Sequence, residues 1–405
     1  MSGRRLIAAG AAALLLPTAA LMTTQASSAY VEPSVSAVDQ SAPAVAARAA
    51  KTKISIQVLP QIAQYGKRPA SANAAKAPVL VSVKPRKKNT VVTLQSSTGS
   101  SWKKAGKAKT DKAGKVRFLA AASKGGKALN YRAVVGKASS PVVNTAAWVK
   151  PSFSDEFAGK SLSGAWEHRV PDYNPAGNRY CSRGGSQAVS VSKGTARISV
   201  IKDPARSDKC AAKRNGKVTG RFAYRLNGHI STMNAYSFTY GVAAARIKFP
   251  ATQGQHGSFW MQPTTSYPKS YSPLDAGAEI DVIEYFGPKS GPKSAMGLTC
   301  FTYHWSSTGQ RIKTGNWIKG TKNYLANKKD DWFKAYHVFS VEWTPSAYIF
   351  RIDGQETWRS TVGISGQPQF AILSLLSSDY ELDHLGSEKK LPQHMYVDWI
   401  RVWDN

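Results

Sequence analysis

Glu279-Ile280-Asp281-Val282-Ile283-Glu284 alternates acid and apolar residues until one apolar residue too many intervenes before the last acid. Its apolar members are β-branched, as strands prefer. Successive side chains in a strand point to opposite faces, so Glu279 and Asp281 share one face. Glu284 lies an odd number of steps from Glu279 and would fall on the wrong side of a regular strand. One extra residue, a β-bulge, returns it to the acidic face and turns Val282 into a packed layer. The strand then presents three carboxylates together. Like charges on one face repel, so a strand with only a packing role would seldom carry them.

Continued by Tyr285-Phe286-Gly287, this ExDxxE stretch resembles the bulged motif of glycoside hydrolase family 16, the laminarinase-like β-glucanases. The resemblance implies that Glu279 is the nucleophile, Glu284 the general acid/base, and Asp281 the residue that holds the nucleophile's charge and orientation. Retaining hydrolysis needs two carboxyl groups about 5–5.5 Å apart, one ionised and one protonated. A third acid helps to split their pKa values.

Working outward, residues 150–405 read as one all-β domain with turn signals between strands and no sustained helical period. Several segments resemble the same family in its own order: Phe153–Phe157, Asn227–Thr232, Phe238–Gly241, Ala245–Pro250, Gly257–Met261, Val341–Pro345, Phe350–Gly354 and Met395–Trp403. The implied fold is a concanavalin-like β-jelly-roll sandwich. By the same resemblance Trp260 stacks on substrate and His304 lies near the acid/base. Trp305, Trp317 and Trp332 are candidates to extend a sugar platform, whereas Trp343, Trp399 and Trp403 are expected to pack the sandwich. Some members hold a structural calcium, for which Asp155, Glu156 and Asp398 are the candidates here; no catalytic metal or organic cofactor is expected. Three segments depart from the laminarinase pattern. His256-Gly257 stands where Trp-Pro is common, Asn178–Ser182 where Asn-Glu-Leu-Gln-Tyr is common, and Ser377–Glu381 where a Gly-Gly loop is common. All three line sugar subsites in relatives, so the departures put the substrate in doubt.

The N-terminal third has a different composition. Between Lys51 and Lys150 there are 21 Lys or Arg and one acid, Asp111, a net +20 out of +31 for the 405-residue chain. Short strand candidates at Ile54–Val58, Val79–Val83, Val91–Leu94, Val116–Leu119 and Asn130–Val135 suggest a smaller β-sandwich over 53–147. Its pattern resembles bacterial immunoglobulin-like modules. No catalytic cluster occurs there; its lysines suit an anionic cell-wall polymer, or simply solubilise a spacer. Residues 1–29 read as a secretory signal peptide, with Arg4-Arg5, an apolar stretch to Met22 and small residues before Tyr30. Residues 30–52, rich in Ala, Ser, Val and Pro, read as a disordered linker. Nothing after the signal is long and apolar enough for a membrane span. An exported protein seldom meets nucleic acid, and no RNA-binding motif appears.

Three cysteines match no zinc spacing. Export makes a Cys181–Cys210 disulfide plausible, leaving Cys300 as a buried small apolar residue. Together these readings predict a secreted or wall-associated monomer, a retaining endo-β-glycosidase of a β-1,3- or β-1,3-1,4-glucan. Two rivals are a carbohydrate-binding protein with a decayed site and a transglycosylase using the same carboxylates.

Overall fold

The computed structural model describes residues 51–265 and 268–404. The signal peptide and all of the linker but Lys51 and Thr52 fall outside them.

In the N-terminal third, β1 (Lys53–Val58), β2 (Ala77–Lys84) and β5 (Lys115–Ala120) form one sheet. β3 (Val91–Ser97), β4 (Lys103–Lys109) and β6 (Asn130–Val135) form the other, with short flanking strands. Alternation in β2 sends Val79, Val81 and Val83 inward, where they meet Val92, Leu94, Phe118 and Tyr131. β4 was not foreseen. Its sequence KKAGKAK has no large apolar residue, and it pairs only with β3 at the sheet edge. Its exposed lysines suit an edge that must not recruit another strand.

The remainder is a β-jelly-roll sandwich made from one continuous ladder. Its main strands are β7 (Thr195–Lys202), β8 (Arg225–Ser231), β9 (Gly241–Lys248), β10 (His256–Pro263), β11 (Glu279–Tyr285) and β12 (Leu298–Trp305). They continue with β13 (Arg311–Trp317), β14 (His337–Thr344), β15 (Ala347–Ile352), β16 (Gln355–Ser360), β17 (Gln369–Leu376) and β18 (Gln393–Trp403). The spatial order is β13-β12-β11-β10-β17-β8-β7-β18-β9-β14-β15-β16. The two halves of the ladder enclose one core. Phe259, Met261, Ile280, Ile283, Leu373 and Leu375 come from one side, and Ala243, Ala245, Phe339, Val341, Val397 and Val402 from the other. The outer face of the first half carries the acidic strand.

The two sandwiches are joined by a buried contact. Residues 59–76, between β1 and β2, cross the outer face of β9 and β18. Leu59, Ile62, Ala72 and Ala75 pack there on Val242, Ala244, Trp399 and Trp403. Trp399 Nε1 donates to Gln64 Oε1 at 2.8 Å, and Gly66 exchanges backbone hydrogen bonds with Tyr336. Trp399 and Trp403 are thus core residues of this contact. A second bulge serves it: Arg246 faces Trp399 and Ile247 faces Val397, so Asp398 is the unpaired extra residue. Its carboxylate meets the Arg246 guanidinium and the Ala70 N–H. Arg246 also donates to the carbonyls of Gln64 and Arg68 at 3.0 and 3.2 Å.

This packing bears on the calcium candidates. Asp398 is taken by Arg246. Glu156 is taken by Arg401 at 2.9 Å and by the Ala72 N–H. Asp155 accepts from Phe157 N, Ser163 Oγ and Trp166 Nε1. With guanidinium groups already neutralising two of the three acids, the set does not fit a calcium ion. Among the described residues no group of three or more His, Cys, Asp or Glu could hold a metal.

Candidate active site

The bulge in β11 is present. On β10, Trp260 faces Asp281 and Phe259 faces Ile283, which leaves Val282 as the extra residue. On β12, Phe301 faces Asp281 and Thr299 faces Glu284 across the same shift. Val282 and Ile283 both enter the core. Glu279, Asp281 and Glu284 therefore share the outer face. Paired residues of antiparallel neighbours point the same way, so Ser258 and Thr299 flank Glu284, and Tyr303 flanks Glu279.

The acids have few partners. Arg311 Nη2 bonds Glu279 Oε1 at 2.9 Å while its guanidinium lies over the Tyr303 ring at 3.9 Å. Gln262 Nε2 reaches Glu279 Oε2, and Thr299 Oγ1 reaches Glu284 Oε2, each at 3.4 Å. Burial, then Glu284 and Glu279, push the Asp281 carboxyl well above the ordinary carboxylate range. Burial also raises Glu284, with His256 pulling it down and Glu381 and Glu279 pushing it up. Cys300 lies behind the bulge with its thiol toward the Val282 carbonyl. Burial and the acids raise its pKa, which makes it an inert core residue.

His304 requires a correction. It is one position past Tyr303 on β12, so its side chain points to the face opposite Glu279, packed against Gly363. The histidine beside Glu284 is His256. Its Nδ1 pairs with Glu381 Oε2 at 2.8 Å and its ring stacks on Phe286. Burial lowers its pKa, but Glu381 and Glu284 outweigh burial and the net shift is upward. Nothing in the local sequence couples residues 256 and 381; only folding brings them together.

Trp260 is half-buried on the cleft face. It donates to Ser374 Oγ at 3.0 Å and stacks on His229 with ring centroids 5.8 Å apart. Trp317 faces Thr299 on the acidic face and packs on Phe286. Trp305 is exposed at the end of β12. Trp332, offered above as platform, is instead fully buried against His337 and Phe339. Trp343 is buried too.

The three segments that depart from the laminarinase pattern form one wall. Asp379 accepts from the Tyr180 and Cys181 N–H groups at 3.2 and 3.0 Å, and its own N–H donates to the Asn178 carbonyl. Ser182 Oγ donates to the Ser377 carbonyl, and Glu381 holds His256. A disulfide between Cys181 and Cys210, with Cα atoms 5.4 Å apart, anchors the same corner.

Residues 181–401 match the family model "Glycosyl hydrolases family 16". The β-glucanase of Bacillus amyloliquefaciens is 26% identical over 166 residues, 41% of this chain and 59% of its own length. The keratan-sulfate endo-1,4-beta-galactosidase of Sphingobacterium multivorum is 24% identical over 189 residues, 45% of this chain and 40% of its own. The chain spans between 25% and 59% of the length of the curated relatives it matches. The laminarinase catalytic domain of Thermotoga maritima aligns with 63% of this chain and 98% of its own at 18% identity, with a TM-score of 0.46.

Proposed function

The chain belongs to glycosyl hydrolase family 16, and from that premise we propose that it is a secreted retaining endo-β-glycosidase of a β-linked polysaccharide. The observation that carries the reading is the bulge that turns Glu284 onto the face of Glu279. In the first step Glu279 attacks the anomeric carbon while Glu284, kept protonated by burial, gives its proton to the leaving oxygen. In the second, Glu284 takes a proton from water as that water attacks the anomeric carbon, and Glu279 departs. Asp281, neutral through burial between two acids, keeps a second negative charge away from the nucleophile. Arg311 holds Glu279 in the free enzyme and must yield to the incoming sugar. Trp260 and the adjoining His229 supply a flat surface for sugar C–H groups.

The backbone suggested by the laminarinase resemblance is a β-1,3- or β-1,3-1,4-glucan; the two relatives named above carry names of a glucan-cleaving and a galactan-cleaving enzyme, so galactans belong in the test. The buried disulfide supports export. The N-terminal sandwich is read as an immunoglobulin-like module whose exposed lysines meet an anionic wall polymer. Reducing-sugar release from laminarin, lichenan, agarose and galactan tests the central claim. Release from at least one, abolished in Glu279→Gln, is expected; a variant as active as the wild type would overturn the assignment.

A further inference from the structure

Three strand spacings from the acids, about 14 Å across β10, β17 and β8, the cleft ends in a recess. Asn227 and His229 form its floor and Asn178, Arg179, Arg183 and Asp172 its sides. Arg183 is neutralised by Asp203 at 3.0 Å, and Asp172 accepts from the Tyr173 N–H. Arg169 stands beside the floor. Its backbone N–H donates to the His229 carbonyl, its guanidinium lies 5.7 Å from the Trp260 ring, and its Nη1 donates to the uncharged Gln262 side chain at 3.0 Å. Among the described residues neither Arg169 nor Arg179 has a carboxylate at ion-pair distance. Among the described residues the buried Arg179 Nε has no hydrogen-bond partner, nor has Nε2 of His229, a residue only 8% exposed.

These are costly features. Arg179 is half-buried, and its buried Nε–H loses hydration that no protein acceptor returns. His229 registers the surrounding charge: burial, then Arg169 and Arg179, push its pKa down to about 3, so the ring stays neutral. Arg179 is also held in place. Its neighbours Tyr180 and Cys181 are tied by their N–H groups to Asp379, and Cys181 is tied by the disulfide to Cys210. A fixed, unpaired arginine fork matches an oxyanion far better than a sugar hydroxyl.

We propose that this recess is a subsite for an anionic substituent, a sulfate ester or a carboxylate, borne by the polysaccharide some sugar units from the cleaved bond. The enzyme's preferred chain is then acidic rather than neutral. This rests on the glycosidase reading above and narrows it.

The test uses the full chain and two polymer pairs, a sulfated galactan with its chemically desulfated product and a glucuronate-containing glycan with its carboxyl-reduced product. Wild type is expected to cleave one charged member at least about tenfold more efficiently than its neutral counterpart, and the pair that responds tells sulfate from carboxylate. Arg179→Gln should raise KM for that charged polymer by a similar factor with little change in kcat, since the contact is remote from the reacting bond. Arg179→Lys, which keeps charge but not the fork, should retain part of the preference. Equal cleavage of both members of both pairs, or a preference that survives Arg179→Gln, overturns the proposal and leaves the glycosidase reading standing. A chain that cleaves nothing overturns the glycosidase reading instead. The subsite is then decided by retardation of the Glu279→Gln protein in gels containing each polymer. The basic N-terminal sandwich will slow it in any polyanion, so the decisive quantity is the change made by adding Arg179→Gln: reduced retardation by the charged member supports the subsite, and no change overturns it. Should Arg179→Gln fail to fold, Arg179→Lys takes its place, and a preference undiminished from the wild type overturns the proposal.

Discussion

Two bulges place acids on opposite faces of this sandwich, and their fates differ. The extra Val282 in β11 turns Glu284 outward beside Glu279 and Asp281. The extra Asp398 in β18 is itself turned outward beside Arg246. The backbone device is the same; the surroundings are not. Asp398 has a guanidinium and a backbone N–H, and Glu156 nearby has Arg401. Among the described residues Asp281 accepts no side-chain hydrogen bond, and Glu284 has only a long contact from Thr299. Acids met by arginines and covered by residues 59–76 hold two sandwiches together. Acids buried without such donors and beside one another are driven to bind protons, the condition general-acid chemistry requires.

The comparison breaks most sharply at the reacting pair. Glu279→Gln should cost about 10⁴-fold or more in turnover and Glu284→Gln about 10²–10⁴-fold, both with thermal melting near the wild type. A loss of stability comparable to the loss of activity would mean that these acids are structural like Asp398. On the other face, Arg246→Ala should destabilise by about 3–5 kcal/mol, because Asp398 is then left buried and alone. Activity per folded molecule should persist, as measured by urea unfolding alongside turnover. Loss of the Cys181–Cys210 bridge in Cys210→Ser should cost about 2–4 kcal/mol and loosen the wall that carries Arg179. Denaturant midpoints with and without reductant check this.

The smallest expected effect is the most discriminating. At low pH, below the ordinary carboxylate value, Asp281 is protonated in both the folded and unfolded chain. As pH rises the unfolded chain ionises first, because the folded pKa is raised, and the wild type loses stability until pH passes the folded value. Asp281→Asn avoids that loss. The variant should match the wild type in acid and gain on it by about 1 kcal/mol or more toward neutral pH, while turning over more slowly. Burial also raises the Asp398 carboxyl against the pull of Arg246, but Asp398→Asn strands the buried Arg246 guanidinium, so this variant should lose stability toward neutral pH where Asp281→Asn gains it. Melting temperatures across pH compare the two directly.

Much of this was legible in the chain. The odd spacing from Glu279 to Glu284 required a bulge, because strand side chains alternate strictly. Short strand-like runs mark β1, β2, β3, β5 and β6 of the N-terminal sandwich, but β4 escapes because its lysines carry no apolar signal. Likeness to the family places His304 near the acid/base, whereas its odd offset from Tyr303, the residue opposite Glu279, turns it to the other face once the pairing is known. His256 with Glu381, Arg311 with Glu279, and Arg246 with Asp398 are 125, 32 and 152 residues apart. No local pattern links them.

The linear order of residues was enough to specify an all-β chain, an acidic strand that had to kink, and a basic N-terminal third, because alternation and charge are properties of neighbours along the backbone. Which acids would be neutralised, which arginines would lack a carboxylate among the described residues at the end of the cleft, and that residues 59–76 would cover Asp398 were settled only by folding. Partnership between charges depends on distance through space and on exclusion of water, and both come from the packed sheets.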